Sequence, residues 1–402
     1  MESIFAIAAI WLGLAVLATV IAYHLKISIA LIEICIGVAA AAVANHFFGE
    51  NALGSNLEWL RFLAATGAIL LTFLAGAELD PKVMSSKKKE VFIVGLVGFL
   101  APFLGCAAIA RFILHWNIQA SWLAGVALST TSMAVVYAVM LETGFNKTEF
   151  GKGILGACFI NDLGTVIALG LLFAPFTYKT FVFVGISIVA LGLFPFVTSF
   201  FTRVYGNRTA AIRAKWVVLV LFALGALALW SGSEAVLPAY VGGMLLAEFA
   251  AKEHHWARRM RTLTVGFLTP FYFLRAGTLV SLPALIAAPL IFLALFLAKV
   301  ISKILGLYPV ITHFRNKRSE RWYYTLMMST GLTFGTISAL YGLSHGIVTQ
   351  AQYSFLVATI IASAVIPTII ASLVFLPEHL LPAVPPKKRT NQIASEAGID
   401  EE

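Results

Sequence analysis

The sequence predicts an all-α polytopic membrane protein with about 13 transmembrane helices, arranged as two inverted six-helix repeats containing discontinuous helices. Three observations carry this. The chain has 402 residues, 60% hydrophobic and only 12% charged, and its mean hydropathy of +0.91 is that of a lipid-embedded chain. Apolar runs of bilayer length, roughly 20 residues, recur from one end to the other. Two polar segments recur at a fixed offset inside such runs.

Taken in order, the runs lie near 3–23, 27–47, 57–79, 91–114, 121–141, 150–174, 180–202, 213–231, 235–251, 262–280, 284–306, 321–343 and 351–376. The first has no charged n-region and no small-residue cleavage site followed by soluble sequence, so it reads as a retained span. No loop between spans is long enough for a separate domain, and residues 1–376 read as one transmembrane domain. Residues 377–402, rich in proline and charge, read as a disordered cytoplasmic tail. Cys35, Cys106 and Cys158 all fall within spans and read as small buried apolar residues.

The net charge of +9 has a topological cause. With the N-terminus outside, Arg61, Arg111 and Lys179 face outward and Arg275, Lys299 and Lys303 lie within spans. The other 22 of the 28 Lys and Arg then fall on the cytoplasmic side. That is the positive-inside pattern, which orients the chain N-out and C-in in a plasma (inner) membrane and leaves no nucleic-acid footprint. Lys299 and Lys303 read as snorkelling to the cytoplasmic face.

Phe73-Leu74-Ala75-Gly76-Ala77-Glu78-Leu79 in the third span returns as Phe273-Leu274-Arg275-Ala276-Gly277-Thr278-Leu279 in the tenth. Ser129-Thr130 in the fifth returns as Ser329-Thr330 in the twelfth. Matched spans are seven apart, an odd number, so they run in opposite directions. Repeat one then covers about 1–175 and repeat two about 211–376, with a linker helix at about 180–202. Inverted repeats belong to secondary transporters, whose substrate site lies near the midplane.

Ser129-Thr130-Thr131-Ser132 and Ser329-Thr330-Gly331-Leu332-Thr333 are poor material for a continuous apolar helix. Ordinary hydroxyl contacts between helices would explain one such segment. A repeat-related pair favours helices broken inside the membrane, whose freed backbone groups and half-helix ends bind ions.

Asp162 is the only one of three aspartates in the middle of a span, and a charge there costs on the order of 3 kcal/mol. Such a carboxylate can hold a proton or a dehydrated hard cation such as Na+, whose other ligands are hydroxyls, carbonyls and water. Burial and nearby positive charge act on its proton in opposite senses, and where they balance the two ions compete. Asn161 can orient its neighbours but takes no proton. Arg275, read as the cation near the middle of a span, would balance negative charge and half-helix C-termini without shuttling protons. Glu78, near the cytoplasmic boundary, reads as an interfacial or gate residue and Glu33 as a helix-packing hydrogen bond. His254-His255 lacks the partners of a metal site.

The run Phe73-Leu74-Ala75-Gly76-Ala77-Glu78-Leu79-Asp80-Pro81, the Ser129–Ser132 segment followed by Ala134-Val135-Val136, the Asn161-Asp162 pair and the Pro270–Gly277 segment resemble the cation:proton antiporter superfamily. The branch they are most similar to is the monovalent cation:proton antiporter-2 family. The resemblance covers nearly all of residues 1–376. It implies two crossed broken helices, a core domain moving elevator-like against a dimerisation domain, a homodimer, and no cofactor. Asn161-Asp162 with Arg275 resembles the electroneutral members. Several of those carry an acidic residue one turn before the pair, where this chain has Ala157, so Arg275 needs another partner and Glu78 is the candidate. The absence of a nucleotide-binding unit after residue 376 leans toward Na+ over K+. The expected function is one-for-one Na+ (or K+ or Li+) exchange for H+ at Asp162. A K+/H+ exchanger and, further off, a cation channel are the alternatives. An enzyme is not expected, for want of a nucleophile motif or His cluster.

Overall fold

The protein is described from a computed structural model, covering residues 2–25, 29–49, 52–77, 87–145, 148–173, 177–205, 211–231 and 235–381. Regular structure among these residues is helical throughout. Helices α1 (Glu2–Leu25), α2 (Ile29–Phe48) and α3 (Glu58–Ala77) are the first three spans, and α4 (Lys88–Ala108) continues through a π-helical turn at Ile109–Ile113. The fifth span is interrupted, as α5 (Ile118–Ser129) and α6 (Met133–Thr143). Next come α7 (Glu149–Phe173), α8 (Tyr178–Tyr205) and α9 (Ile212–Ser231). The ninth span is α10 (Val236–Leu245) with α11 (Ala247–Lys252). The tenth is α12 (His254–Leu263), a π-helical turn at Thr264–Leu268, and α13 (Thr269–Thr278). After the short α14 (Leu282–Ala287) come α15 (Pro289–Thr312), the interrupted pair α16 (Arg318–Met327) and α17 (Thr333–Ser344), and α18 (Gln350–Val374). Among the described residues nine helices are long and apolar enough to cross a bilayer alone, and the four composite spans account for the rest of the expected set.

The helices pack as two groups. In one, α2 lies on α13, α10 on α3, α13 on α3, α9 on α8 and α1 on α2; in the other, α4 packs on α5, α7 and α15, α17 on α5, and α15 and α17 on α18. The groups meet where α7 touches α10, and α14 bridges toward α18. The first group is held by two close crossings. A Cβ on Gly37 would lie 3.1 Å from Gly277 Cα, and one on Gly76 would lie 3.2 Å from Gly243 Cα. Helix backbones reach that separation only where both partners lack a side chain.

Three expectations are corrected. The basic stretch before the tenth span is the helix α12, not a loop. Trp256 and Met260 are buried four residues apart while Arg258, Arg259 and Arg261 stay exposed, the spacing of an amphipathic helix. Cys35 is exposed on the outside of α2, while Cys106 and Cys158 are buried. The chain remains ordered beyond 376: His379 Nε2 lies 2.7 Å from Glu320 Oε1, and Leu380 packs against the cluster that includes Tyr323 and Met327. Residues 382–402 of the expected tail lie outside the described residues.

Candidate functional site

Both interruptions fall at the Ser/Thr-rich segments. Thr130 leaves the helix in an extended conformation, at φ −62° and ψ 151°, and Leu332 sits at φ −154° and ψ −76° before α17 starts. Each break frees carbonyls that a continuous helix would use, and nearby hydroxyls take them up in matching fashion. Thr130 Oγ1 donates to Ala127 O at 3.1 Å and Thr330 Oγ1 to Met327 O at 2.8 Å, both three residues back. Ser129 Oγ donates to Val126 O and Ser329 Oγ to Thr325 O, each at 2.8 Å. The two breaks also bond to each other. Ser132 N donates to Thr330 O at 3.0 Å, and Thr131 Oγ1 donates to Met328 O at 2.7 Å.

Asn161 and Asp162 of α7 face this crossing, at 0% and 1% exposure. Asn161 Nδ2 donates to Ser129 O at 3.3 Å, joining α7 to the first break. Its Oδ1, and Oδ1 of Asp162, are buried with no hydrogen-bond partner among the described residues. Two buried oxygens on consecutive residues, left without donors, are the kind of ligand a dehydrated hard cation takes.

The buried cation bonded at the first break is Lys303, not Arg275. Lys303 Nζ donates to Thr131 Oγ1 at 2.8 Å. Lys299, one turn earlier, reaches the second break, where any side chain at Gly331 would collide with its Nζ and lie 3.1 Å from Thr130 Oγ1. Each lysine thus stands at one interruption, where half-helix C-termini concentrate negative partial charge. Neither snorkels: both are fully buried. Lys303 lies nine residues before the end of α15 at Thr312, about 13 Å at 1.5 Å per residue, beyond the reach of a lysine stem. The signal was in the spacing. Leu295, Lys299, Lys303, Leu307 and Ile311 are the buried positions of α15, a strict four-residue stripe.

Arg275 is placed elsewhere. Because α12 extends the tenth span backward, Arg275 falls three residues from the end of α13, and its Nε donates to Ser55 O at 2.9 Å in the loop before α3. It is not brought to Asp162, and its expected role as the balancing charge at the ion site is corrected. Glu78, its candidate partner, lies outside the described residues. Ala157 is buried in α7. Thr333 opens α17 and is buried beside the second break. Glu33 is buried but makes no hydrogen bond among the described residues, so the expected packing bond is absent there. Sequence reasoning also missed Tyr240 of α10, whose ring stacks on Phe159 one turn before Asp162, with centroids 5.3 Å apart.

Two mutually bonded helix interruptions beside a buried carboxylate and two buried lysines define a polytopic membrane protein with a polar centre buried among its spans. The chain belongs to the sodium/hydrogen exchanger family: the family profile "Sodium/hydrogen exchanger, transmembrane" matches residues 12–376. It is 28% identical over 242 residues to a protein of Methanocaldococcus jannaschii named "Probable Na(+)/H(+) antiporter 3", covering 57% of this chain and 61% of that protein. It is 26% identical over 257 residues to an Enterococcus hirae protein named "Na(+)/H(+) antiporter", covering 60% and 66%. The matched region thus spans less than two-thirds of the length of either curated relative. The solved structure of the sodium proton antiporter MjNhaP1 from Methanocaldococcus jannaschii at pH 8 has the same fold, with a TM-score of 0.68 at 16% identity over 95% of this chain and all of that one.

Proposed function

We propose that the chain exchanges Na+ for H+ across the membrane, one for one, with both ions competing for Asp162. The observation that carries this reading is the pair of buried, partnerless oxygens, Asp162 Oδ1 and Asn161 Oδ1, at the crossing of two broken helices. Names of the curated relatives support Na+ over K+. The branch we assign, the antiporter-2 branch, rests on the motifs at 73–81, 129–136 and 161–162.

In this mechanism Asp162 carries a proton in one half-cycle and Na+ in the other. Asn161 presents its Oδ1 because its Nδ2 is committed to Ser129 O. Ser129, Thr130 and Thr131 border the cargo at the first break, and Thr330, Gly331 and Thr333 at the second. Lys303, bonded to Thr131 beside the half-helix ends, supplies positive charge when protonated, so that ion release does not leave an uncompensated carboxylate in the membrane. The group containing α4–α7 and α15–α18 carries the site past the group containing α1–α3 and α8–α13, so the site faces each side in turn. Two inverted repeats, an N-out and C-in orientation and a homodimer through the second group complete the proposal. The exchanged breaks, with equivalent Thr130 and Thr330 hydroxyl bonds, support the repeat.

The test uses purified protein in liposomes holding an imposed pH gradient. Addition of Na+ or Li+ is expected to dissipate the gradient while K+ does not. Dissipation by K+ alone would make the chain a K+/H+ exchanger, and currents without proton coupling would make it a channel.

A further inference from the structure

We propose that Tyr240 and Tyr353 are conformational latches that clamp the ion-carrying helix group to the other group in one state of the cycle. The inference deepens the exchange reading and rests on its alternating-access step.

Both tyrosines are fully buried, and both send their hydroxyl across the boundary between the groups to a backbone carbonyl. Tyr240 Oη, from α10, donates to Phe159 O of α7 at 3.1 Å. Tyr353 Oη, from α18, donates to Ala276 O of α13 at 2.8 Å. The direction of donation is reversed between the two, but each joins a carrier helix to a stationary one. Beside Tyr353, Ser281 N donates to Ser354 Oγ at 2.7 Å, reinforcing the same seam.

The two anchors differ in rigidity. Tyr240 lies three residues before Gly243, and its carbonyl packs against Gly76 where no Cβ could fit, so its backbone is fixed to α3. From there its ring is wedged between Phe159 and Phe334, stacked on the first and edge-on to the second at 5.5 Å. Phe334 is the second residue of α17, so one ring touches α7 just before Asp162 and the helix just after the second break. Tyr353 addresses a carbonyl in the last turn of α13, where Val280 N turns to Gly277 O instead and leaves Ala276 O to an outside donor. Neither bond uses a carboxylate, a lysine or a cargo ligand. Movement of the carrier group must break both and pull Tyr240 out of its aromatic slot.

A latch stabilises one state only, so removing it shifts the balance between states without altering the ion site. Apparent affinity scales with the fraction of protein in the competent state. Half-saturating Na+ must therefore rise when measured from the side to which the latched state opens, and fall from the other side. With membrane hydrogen bonds of typical strength, each Tyr→Phe change moves these values about threefold to tenfold.

The experiment is Na+-dependent proton flux from each face of oriented proteoliposomes, for wild type, Tyr240→Phe and Tyr353→Phe. Opposite shifts at the two faces, in the same sense for both variants, are the expected result. Equal shifts at both faces would make the tyrosines part of the binding site. Unchanged half-saturation with a lower maximal rate would make them ordinary packing. Either outcome overturns the latch. A second arm needs no transport: hydrogen–deuterium exchange of the same proteins in detergent, over 155–165 and 272–280. Faster exchange over 155–165 in Tyr240→Phe and over 272–280 in Tyr353→Phe supports the latch, and unchanged exchange overturns it. If wild type moves no protons with Na+, the exchange reading has failed, and this second arm alone decides the latch.

Discussion

Lys303 donates from Nζ to Thr131 Oγ1 at 2.8 Å across 172 positions of sequence, and Thr131 in turn donates to Met328 O. One buried ammonium therefore ties α15 to both interrupted helices. The buried charge at the crossing is a primary amine, fixed by a bond to a neutral oxygen.

Removing that amine should loosen the crossing. Lys303→Met is expected to lower stability by about 1.5–3 kcal/mol, the range for a hydrogen bond to a charged group. The check is the thermal unfolding midpoint of purified protein in detergent, which should fall. An unchanged midpoint would mean the bond to Thr131 does not hold the breaks together.

Arg275 separates stability from ion binding. Its Nε bond to Ser55 O lies away from the exchange site, so Arg275→Gln should lower the unfolding midpoint yet leave half-saturating Na+ unchanged. A large rise in half-saturating Na+ would restore Arg275 to the ion site.

The glycine crossings make a contrast that thermal scanning can read. Gly37→Ala and Gly76→Ala force a methyl into facing backbone, and overpacking of that kind costs about 1–3 kcal/mol. Gly185→Ala and Gly192→Ala meet nothing within 4 Å and lie inside α8, where alanine is the better helix former. They are expected to be neutral or stabilising.

Much of this was legible in the sequence because membrane spans announce themselves by length and apolarity. The two breaks were legible because runs such as Ser129–Ser132 conflict with a continuous helix. Asp162 was legible through rarity and depth. The lysines were not, because a long side chain near a basic loop has an easy exit to water, and only the four-residue stripe through Leu295 and Leu307 shows that α15 turns them inward. Arg275 was misplaced because the tenth span was started too late: α12 carries its charges on one face, which hides its helical period from a hydropathy reading. Tyr240 gave no signal, since an aromatic in an apolar run looks like any other core residue until its hydroxyl partner is known.

Charge balance follows from one carboxylate. If Asp162 is the only proton carrier and Lys303 keeps its charge through the cycle, the H+- and Na+-loaded states carry equal charge and exchange is electroneutral. A membrane potential of 100 mV, equivalent to about 2.3 kcal/mol per charge moved, should then leave the equilibrium Na+ gradient unchanged. Na+ accumulation driven by potential alone, at equal pH and equal Na+, would require a second carrier. Unlike arginine, a buried lysine can give up its proton, so Lys303 and Lys299 would be the groups to replace next.

The role of Asp162 is tested most directly by Na+-driven proton flux in liposomes containing wild type or Asp162→Asn at matched protein content. The substitution keeps the side chain's shape while removing its charge and its titration. Wild type is expected to collapse an imposed pH gradient when Na+ is added, and Asp162→Asn, though folded by size-exclusion profile, to show no flux above protein-free liposomes. Substantial Na+-driven flux in the variant would contradict the account and move the exchange site away from Asp162.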